Sequence, residues 1–397
     1  MPSWTGNLIQ NEHLPRTVST SDDIDALLVV AARLGASEII FQTGRPVLTQ
    51  IHGAWSALTP TWLQTAALEH ICVHVSAKAS VVSRLYSGLD FDTALTVHDH
   101  HIRTDDGEPL AYRFRINLTA GHYETGNGIQ IVCRSIPTEP PTAEAIELEP
   151  EIVAASTPSN GAVIVSGAVG SGKSTTLAAL LRRIVEGGTS ITGNVVTYES
   201  PIEYLFDRIS SPTCTISQHE IGRHLPTFAE AVRNSLRRYP ALLQIGELRD
   251  AETIVAAIEA ANIGTPFFST VHSNDTAHIM RRMMMVFPQD AQFRAFHDIL
   301  DMSRLLVSQV LVPRVGGGRV CLREWLVVTD DDRRQIARAG IDGCADEIRR
   351  IMQGGHTARS MRETVRRALD GGAVSIRTAS SVLRQYGYRE ESDALAA

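Results

Sequence analysis

From Asp22 onward, apolar residues recur at helical spacing at Ile24, Leu27, Leu28, Ala31 and Ala32, and Gly35 stands where a helix would be capped. That pattern predicts a helix with one buried face. The first 20 residues are polar and without period, which predicts a flexible lead-in. Beyond Gly35, short strand-like runs cover 38–42, 47–51, 111–118 and 128–134, and 60–86 carries helical material that ends near Gly88. Helices mixed with strands, without regular alternation, predict an α+β domain over 21–136.

Residues 137–150 hold four prolines and four glutamates and read as a linker. The pattern then changes to strand-then-helix units. A short apolar run at 162–166 is followed by a helical face of Leu177, Leu180, Leu181, Ile184 and Val185, closed by Gly187-Gly188. Further buried strands are predicted at 194–198, 241–245 and 266–271, and Thr227 with Glu230 forms a capping box that opens another helix. This alternation predicts an α/β domain over 151–330, built on a mostly parallel sheet covered on both faces. From 331 to 397 the chain is charged and helical, and its arginine-rich stretches read as solvated helix faces.

With 37 basic and 44 acidic residues, the net charge is −7, which argues against a protein that coats nucleic acid. No run approaches a membrane span, and the N-terminus lacks the layout of a secretory signal. The five scattered cysteines show no metal or redox spacing and are expected to be reduced thiols in the cytoplasm.

Four clusters carry candidate chemistry. Gly167-Ala168-Val169-Gly170-Ser171-Gly172-Lys173-Ser174, with Thr175, fits the P-loop pattern between a strand and an amphipathic helix. Glycines let backbone N–H groups turn inward around phosphates, and the helix N-terminus adds positive potential. Lys173 is placed to bridge the β- and γ-phosphates of ATP, and the Ser174 hydroxyl to ligate Mg²⁺. A dinucleotide-binding GxGxxG reading is disfavoured by Lys173-Ser174 and by the lack of a suitably placed acid. Glu199 and Glu203 flank Pro201 after the next strand, where carboxylates can hold Mg²⁺ waters or orient an attacking water. Leu242-Leu-Gln-Ile-Gly-Glu247-Leu-Arg-Asp250 is an apolar strand ending in a glutamate, the place for a general base, with Asp250 capping the next helix. His272 ends the strand Phe267-Phe-Ser-Thr-Val271, where it can sense a γ-phosphate.

Together these clusters resemble the secretion ATPase superfamily of type II and type IV systems, whose hallmarks are a P-loop, an acidic box, an atypical Gly-Glu-x-Arg-Asp Walker B and a histidine box. The resemblance runs from about residue 22 to 370 and takes in Arg282, Phe287-Pro288, Ser308–Pro313 and Ile351-Met-Gln-Gly354. Tyr198–Glu203, Gln218–Pro226, Val232–Arg238 and Phe41–Pro46 are most similar to the DotB/TraJ-type ATPases of type IVB secretion and plasmid conjugation. The resemblance implies a RecA-like core, a preceding PAS-like domain and a hexameric ring at the cytoplasmic face of the inner membrane. That ring would be a Mg²⁺-dependent ATP-hydrolysing motor docked on a secretion or conjugation complex, with no direct nucleic-acid binding. It also implies arginines reaching ATP from a neighbouring N-terminal domain. The matching positions are Arg115 and Arg134, and strand alternation puts Arg113 on the same face as Arg115. Two departures stand out: Ser200 occupies a position where pilus-retraction relatives carry aspartate, and the Arg115-to-Arg134 segment is a few residues longer. A pilus retraction motor shares the motor motifs and is the main alternative. A RecA-like helicase is the other, and the acidic balance tells against it.

Overall fold

Helix α1 (Ser21–Arg33) begins at a reciprocal cap, in which the Thr20 hydroxyl accepts the Asp23 N–H and the Asp23 carboxylate accepts the Thr20 N–H. Its inner face, Ile24, Leu27 and Leu28, is fully buried. The structure is a computed structural model and describes residues 6–51, 54–104, 107–123, 126–354 and 357–396. The chain divides into two compact units, Met1–Glu139 with Ser200–Leu205, and Pro140–Glu199 with Phe206–Ala397.

In the N-terminal unit, β1 (Ala36–Gln42), β2 (Leu48–Ile51), β3 (Ala54–Ala57), β4 (Phe91–Arg103), β5 (Pro109–Tyr123) and β6 (Gly126–Ile136) form one antiparallel sheet in the order β3-β2-β1-β6-β5-β4. Helices α1, α2 (Thr65–Ser76) and α3 (Val81–Tyr86) share a core with Phe114, Ile116 and Leu118 of β5 and with Ile129, Ile131 and Cys133 of β6. Alternation turns Arg113, Arg115, Asn117 and Arg134 to the opposite face. The polar stretch before α1 is not the free lead-in its composition suggests. Ala57 donates to the Asn7 carbonyl at 2.8 Å, Ile9 donates to the Ala57 carbonyl at 2.9 Å, and Val18 is buried in the core.

The second unit is built on β7 (Gly161–Ser166), β8 (Gly193–Glu199), β9 (Cys214–Glu220), β10 (Pro240–Ile245), β11 (Pro266–Val271), β12 (Ser303–Pro313), β13 (Arg319–Val327) and β14 (Ala358–Arg359), in the order β14-β13-β12-β7-β11-β10-β8-β9. From β12 to β9 neighbouring strands run parallel, while β13 and β14 are antiparallel additions. Every residue of β7 and β11 is buried, as expected of central strands covered on both faces. The connecting helices are α4 (Pro150–Ala155), α5 (Lys173–Val185), α6 (Phe228–Ser235), α7 (Ala251–Asn262), α8 (Ile279–Met284) and α9 (Gln292–Met302). On α5, Leu177, Leu180, Leu181, Ile184 and Val185 are all buried, each contributing roughly 1.5–3 kcal/mol of transfer free energy.

Two of the four glutamates of the proline-rich stretch are paired with arginines. Glu147 pairs with Arg314, and Glu149 accepts from Arg323 at 3.1 Å. Ala143 and Leu148 are buried, and Arg182 donates to the Pro140 carbonyl at 2.7 Å. From Pro140 onward the expected linker is therefore a fastened strap within the second unit, because Glu149 meets Arg323 on β13 and Glu147 meets Arg314 just after β12. The C-terminal stretch belongs to the same unit, through α10 (Asp330–Gly354, broken at Gly340 with φ 69°), α11 (Met361–Asp370), α12 (Ile376–Gln385) and α13 (Arg389–Ala396). Its β14 extends the sheet edge, and Met361, Val365, Ala379, Val382 and Leu383 bury a small core against Val312, Val320 and Leu322. The five cysteines are unpaired thiols, with Cys72, Cys133 and Cys344 buried. Among the described residues no helix is long and apolar enough to cross a membrane.

Candidate nucleotide-binding and hydrolytic site

Parallel strands end on one edge of their sheet, and loops leaving that edge are where α/β folds bind ligands. Four candidate clusters leave β7, β11, β10 and β8, which are consecutive neighbours in the sheet. Register aligns their ends. Val271 pairs with Ser166, so His272 and Gly167 are the next residues on adjacent strands. Ile245 pairs with Ser269 on one side and Tyr198 on the other, which brings Glu247 and Glu199 to the same edge.

The P-loop takes the shape its glycines permit. Gly167, Gly170 and Gly172 adopt φ of 143°, 77° and 86°, values that residues with a Cβ rarely tolerate. A Cβ on Gly167 would lie 2.4 Å from the Gln309 carbonyl oxygen, so that approach admits glycine alone. Lys173 Nζ reaches back across the loop and donates to the carbonyls of Gly167 at 2.9 Å and Ala168 at 3.0 Å. The Ser171 hydroxyl is buried with no hydrogen-bond partner among the described residues, as suits a loop made to receive an acceptor-rich ligand. The hydroxyl of Ser174 at the start of α5 and the carboxylates of Glu247 and Glu199 are hard oxygen donors that suit Mg²⁺.

Sequence reasoning missed Gln309. This β12 side chain is 1% exposed, donates from Nε2 to the Ser171 carbonyl at 2.6 Å and accepts from the Thr176 hydroxyl at 2.9 Å. It clasps the loop to the first turn of α5. Nothing local announces it, because its partners lie 138 and 133 residues away in the chain. Gln309→Ala leaves two buried polar groups unpaired at about 1–3 kcal/mol each. We expect a melting temperature lower by several degrees and ATP affinity weakened about tenfold, read by thermal denaturation with and without Mg·ATP.

Glu247 and His272 meet: His272 Nε2 lies 3.5 Å from Glu247 Oε1, and both side chains remain partly exposed. The backbone around Glu247 is held on both sides. Gly246 donates to the Tyr198 carbonyl at 2.8 Å, Leu248 donates to the Thr270 carbonyl at 3.0 Å, and the Thr270 hydroxyl donates to the Gly246 carbonyl at 2.6 Å. Asp250 caps α7 by accepting the Thr253 N–H at 2.8 Å. Glu199 is more enclosed, at 8% exposure, and accepts from the Thr197 hydroxyl at 2.7 Å and Gln218 Nε2 at 3.4 Å.

Arg115, Arg134 and Glu203 belong to the N-terminal unit. Arg115 and Arg134 are direct cross-strand partners on the polar face of the β5–β6 pair. Like charges so placed repel unless anions sit among them. Glu203 Oε1 lies 3.6 Å from Arg115 Nη1, and Glu38 Oε1 lies 2.7 Å from Arg134 Nη2. Arg113 has other work on that face. It is 4% exposed and donates to the carbonyls of Glu203 at 2.7 Å and Ile202 at 2.8 Å.

Residues 63–385 match the family described as Type II/IV secretion system protein. The solved ATPase DotB of Legionella pneumophila is 36% identical, with a TM-score of 0.84 over 96% of this chain and 100% of that one. The pilus retraction motor PilT, solved with bound ADP, is 25% identical, with a TM-score of 0.73 over 90% of this chain and 96% of that one. The type IV pilus retraction ATPase PilT of Pseudomonas aeruginosa is 30% identical over 79% of this chain and 85% of its own length. A P-loop, a strand-end glutamate and a strand-end histidine on one sheet edge, with this match over most of the length, lead to one conclusion: the chain belongs to the type II/IV secretion ATPase family.

Proposed function

We propose that the chain is the Mg²⁺-dependent ATP-hydrolysing motor of a type IVB secretion or conjugation apparatus, acting as a homo-hexameric ring. The observation that carries the hydrolytic reading is the 3.5 Å approach of His272 to Glu247 on the P-loop edge. Glu247 takes a proton from the water that attacks the γ-phosphate, and His272 holds that carboxylate in place and registers the phosphate. Lys173, released from the Gly167 and Ala168 carbonyls, bridges the β- and γ-phosphates as charge develops on them. The Ser174 hydroxyl would hold Mg²⁺, which when bound would supply charge neutralisation at the phosphate oxygens. The products are ADP and inorganic phosphate.

Arg115 and Arg134 complete the site from a neighbouring subunit. Their cross-strand pairing concentrates two positive charges that a polyphosphate suits better than two separate carboxylates do. The ring works in the cytoplasm, against the membrane-embedded part of the apparatus, without gripping nucleic acid itself. Similarity to DotB over 96% of the chain favours type IVB secretion, or its conjugative counterpart, over pilus retraction.

The test mixes two inactive forms, Lys173→Ala and the double substitution Arg115→Ala with Arg134→Ala. If the arginines act across an interface, mixed rings release phosphate from ATP at a rate neither form reaches alone. If mixing restores nothing, while each form still assembles, the arginines do not act in trans. In the host, deletion should abolish plasmid or effector transfer and leave twitching motility intact; the reverse pattern would favour the pilus motor.

A further inference from the structure

Glu324 is a buried carboxylate that the reaction itself does not use. It lies on β13, is 4% exposed, and divides its two oxygens between distant backbone groups. Oε1 accepts the Thr276 N–H at 2.7 Å, in the loop that follows His272. Oε2 accepts the Met361 N–H at 3.0 Å, in the first turn of α11. An anion at that turn also meets the positive end of the helix dipole. One side chain therefore holds both the histidine-box loop and the first of the last three helices.

Its height in the sheet matters as much as its bonds. Across the strands, Glu324 pairs with Ser308 on β12, Ser308 with Ser166 on β7, and Ser166 with Val271 on β11. The row thus ends beside the residue before the P-loop and the residue before His272. Ser308 in turn contacts the Tyr386 hydroxyl at 3.2 Å, adding the end of α12 to the same level. A second tie runs in parallel. Asp275 holds His278 at 2.7 Å and Arg349 of α10 at 3.2 Å.

We propose that Glu324 is a positioning residue that couples the loop after His272 to α11, so that a shift of that loop on nucleotide binding moves the C-terminal helices. The proposal rests on the ATPase reading given above. Burying a carboxylate is costly, and burial is the main reason the Glu324 carboxyl is pushed up to about 7, with Asp275 adding to the rise and the two N–H bonds opposing it. The ionised form accepts both N–H groups more strongly than the neutral acid, whose hydroxyl oxygen is a weak acceptor, so coupling strengthens as pH rises through about 7. The other titratable groups that face Glu324 are Tyr386 at the end of α12 and Tyr388 just beyond it, whose hydroxyls burial keeps neutral at that pH. Gln at this position keeps the volume but can accept only one of the two bonds.

The test uses the full-length chain. Nucleotide binding by the wild type is measured first; its failure would sink the ATPase reading and is recognised at that step. Amide exchange over Met361–Asp370 is then compared with and without a non-hydrolysable Mg·ATP analogue, in wild type and Glu324→Gln. We expect the wild-type segment to change protection on nucleotide addition, more strongly at pH 8 than at pH 6. In E324Q that change is lost and pH-independent, kcat falls about tenfold, and nucleotide affinity and KM stay within about twofold. A wild-type α11 that ignores bound nucleotide, or an E324Q variant that responds as the wild type does, overturns the proposal. So does a loss confined to nucleotide affinity, which would mark Glu324 as a structural support of the pocket.

Discussion

Glu247→Gln binds Mg·ATP as tightly as the wild type and hydrolyses it about 10²–10⁴ times more slowly, the range a positioned general base contributes. The amide occupies the carboxylate's space and keeps a contact with His272 across the 3.5 Å gap, but it cannot take a proton from water. The surrounding backbone is fixed by Tyr198, Thr270 and the Asp250 cap, none of which depends on the side-chain charge. Stability should therefore change by less than about 0.5 kcal/mol, as for a partly exposed substitution away from the core. Phosphate release at saturating ATP, with affinity measured separately, reads the split. Normal turnover in this variant would remove Glu247 from the role of base.

Lys173→Ala shows the opposite split, with nucleotide affinity lost together with turnover. Its ammonium contributes charge-assisted hydrogen bonds to phosphate, about 1.5–3 kcal/mol each, so two such bonds predict ATP binding weakened by at least roughly 10²-fold. Without nucleotide the lysine donates to the loop carbonyls of Gly167 and Ala168, and Ala168 is exposed, so water can replace the ammonium there. The melting temperature of the apo protein should barely move, which separates this variant from Gln309→Ala. Fluorescent-nucleotide titration and thermal denaturation on the same samples make the comparison. Retained affinity in Lys173→Ala would mean that phosphates are not held where the loop suggests.

The strand-end placement of the P-loop, Glu247 and His272 was legible because each is written in a few consecutive residues: a mostly apolar central strand, then the polar group at its end. Gln309 was not legible, since its meaning is a contact between strands far apart in the chain. Glu324 was hidden in the same way, since its backbone partners Thr276 and Met361 lie 48 and 37 residues away in the chain. β4 escaped for another reason. Its inward positions include Asp99, buried against Arg33 at 2.6 Å, and its outward positions carry His98 and His100. An acid on the core side erases the alternation that identifies a strand. The edge strand β9 shows a weaker form of this, with Thr215, Ser217 and His219 leaving little apolar contrast. The linker and the lead-in were misjudged because composition reports solubility and not partners. Glutamates that look solvated meet Arg314 and Arg323, and a polar lead-in can still lie along a strand.

Residues Ser200–Leu205 belong with the N-terminal unit although the chain on either side belongs with the other. The polypeptide thus passes between its units three times, at 139–140, 199–200 and 205–206. A boundary crossed three times cannot be opened with one cut. A fragment beginning at Pro140 carries the Ile202 and Glu203 carbonyls away, and the matching N-terminal fragment keeps an Arg113 guanidinium without these two bonds. Each lost bond to that charge costs on the order of 1–3 kcal/mol. An exchange of N-terminal halves between relatives would have to carry the six residues Ser200–Leu205 along with the half they serve.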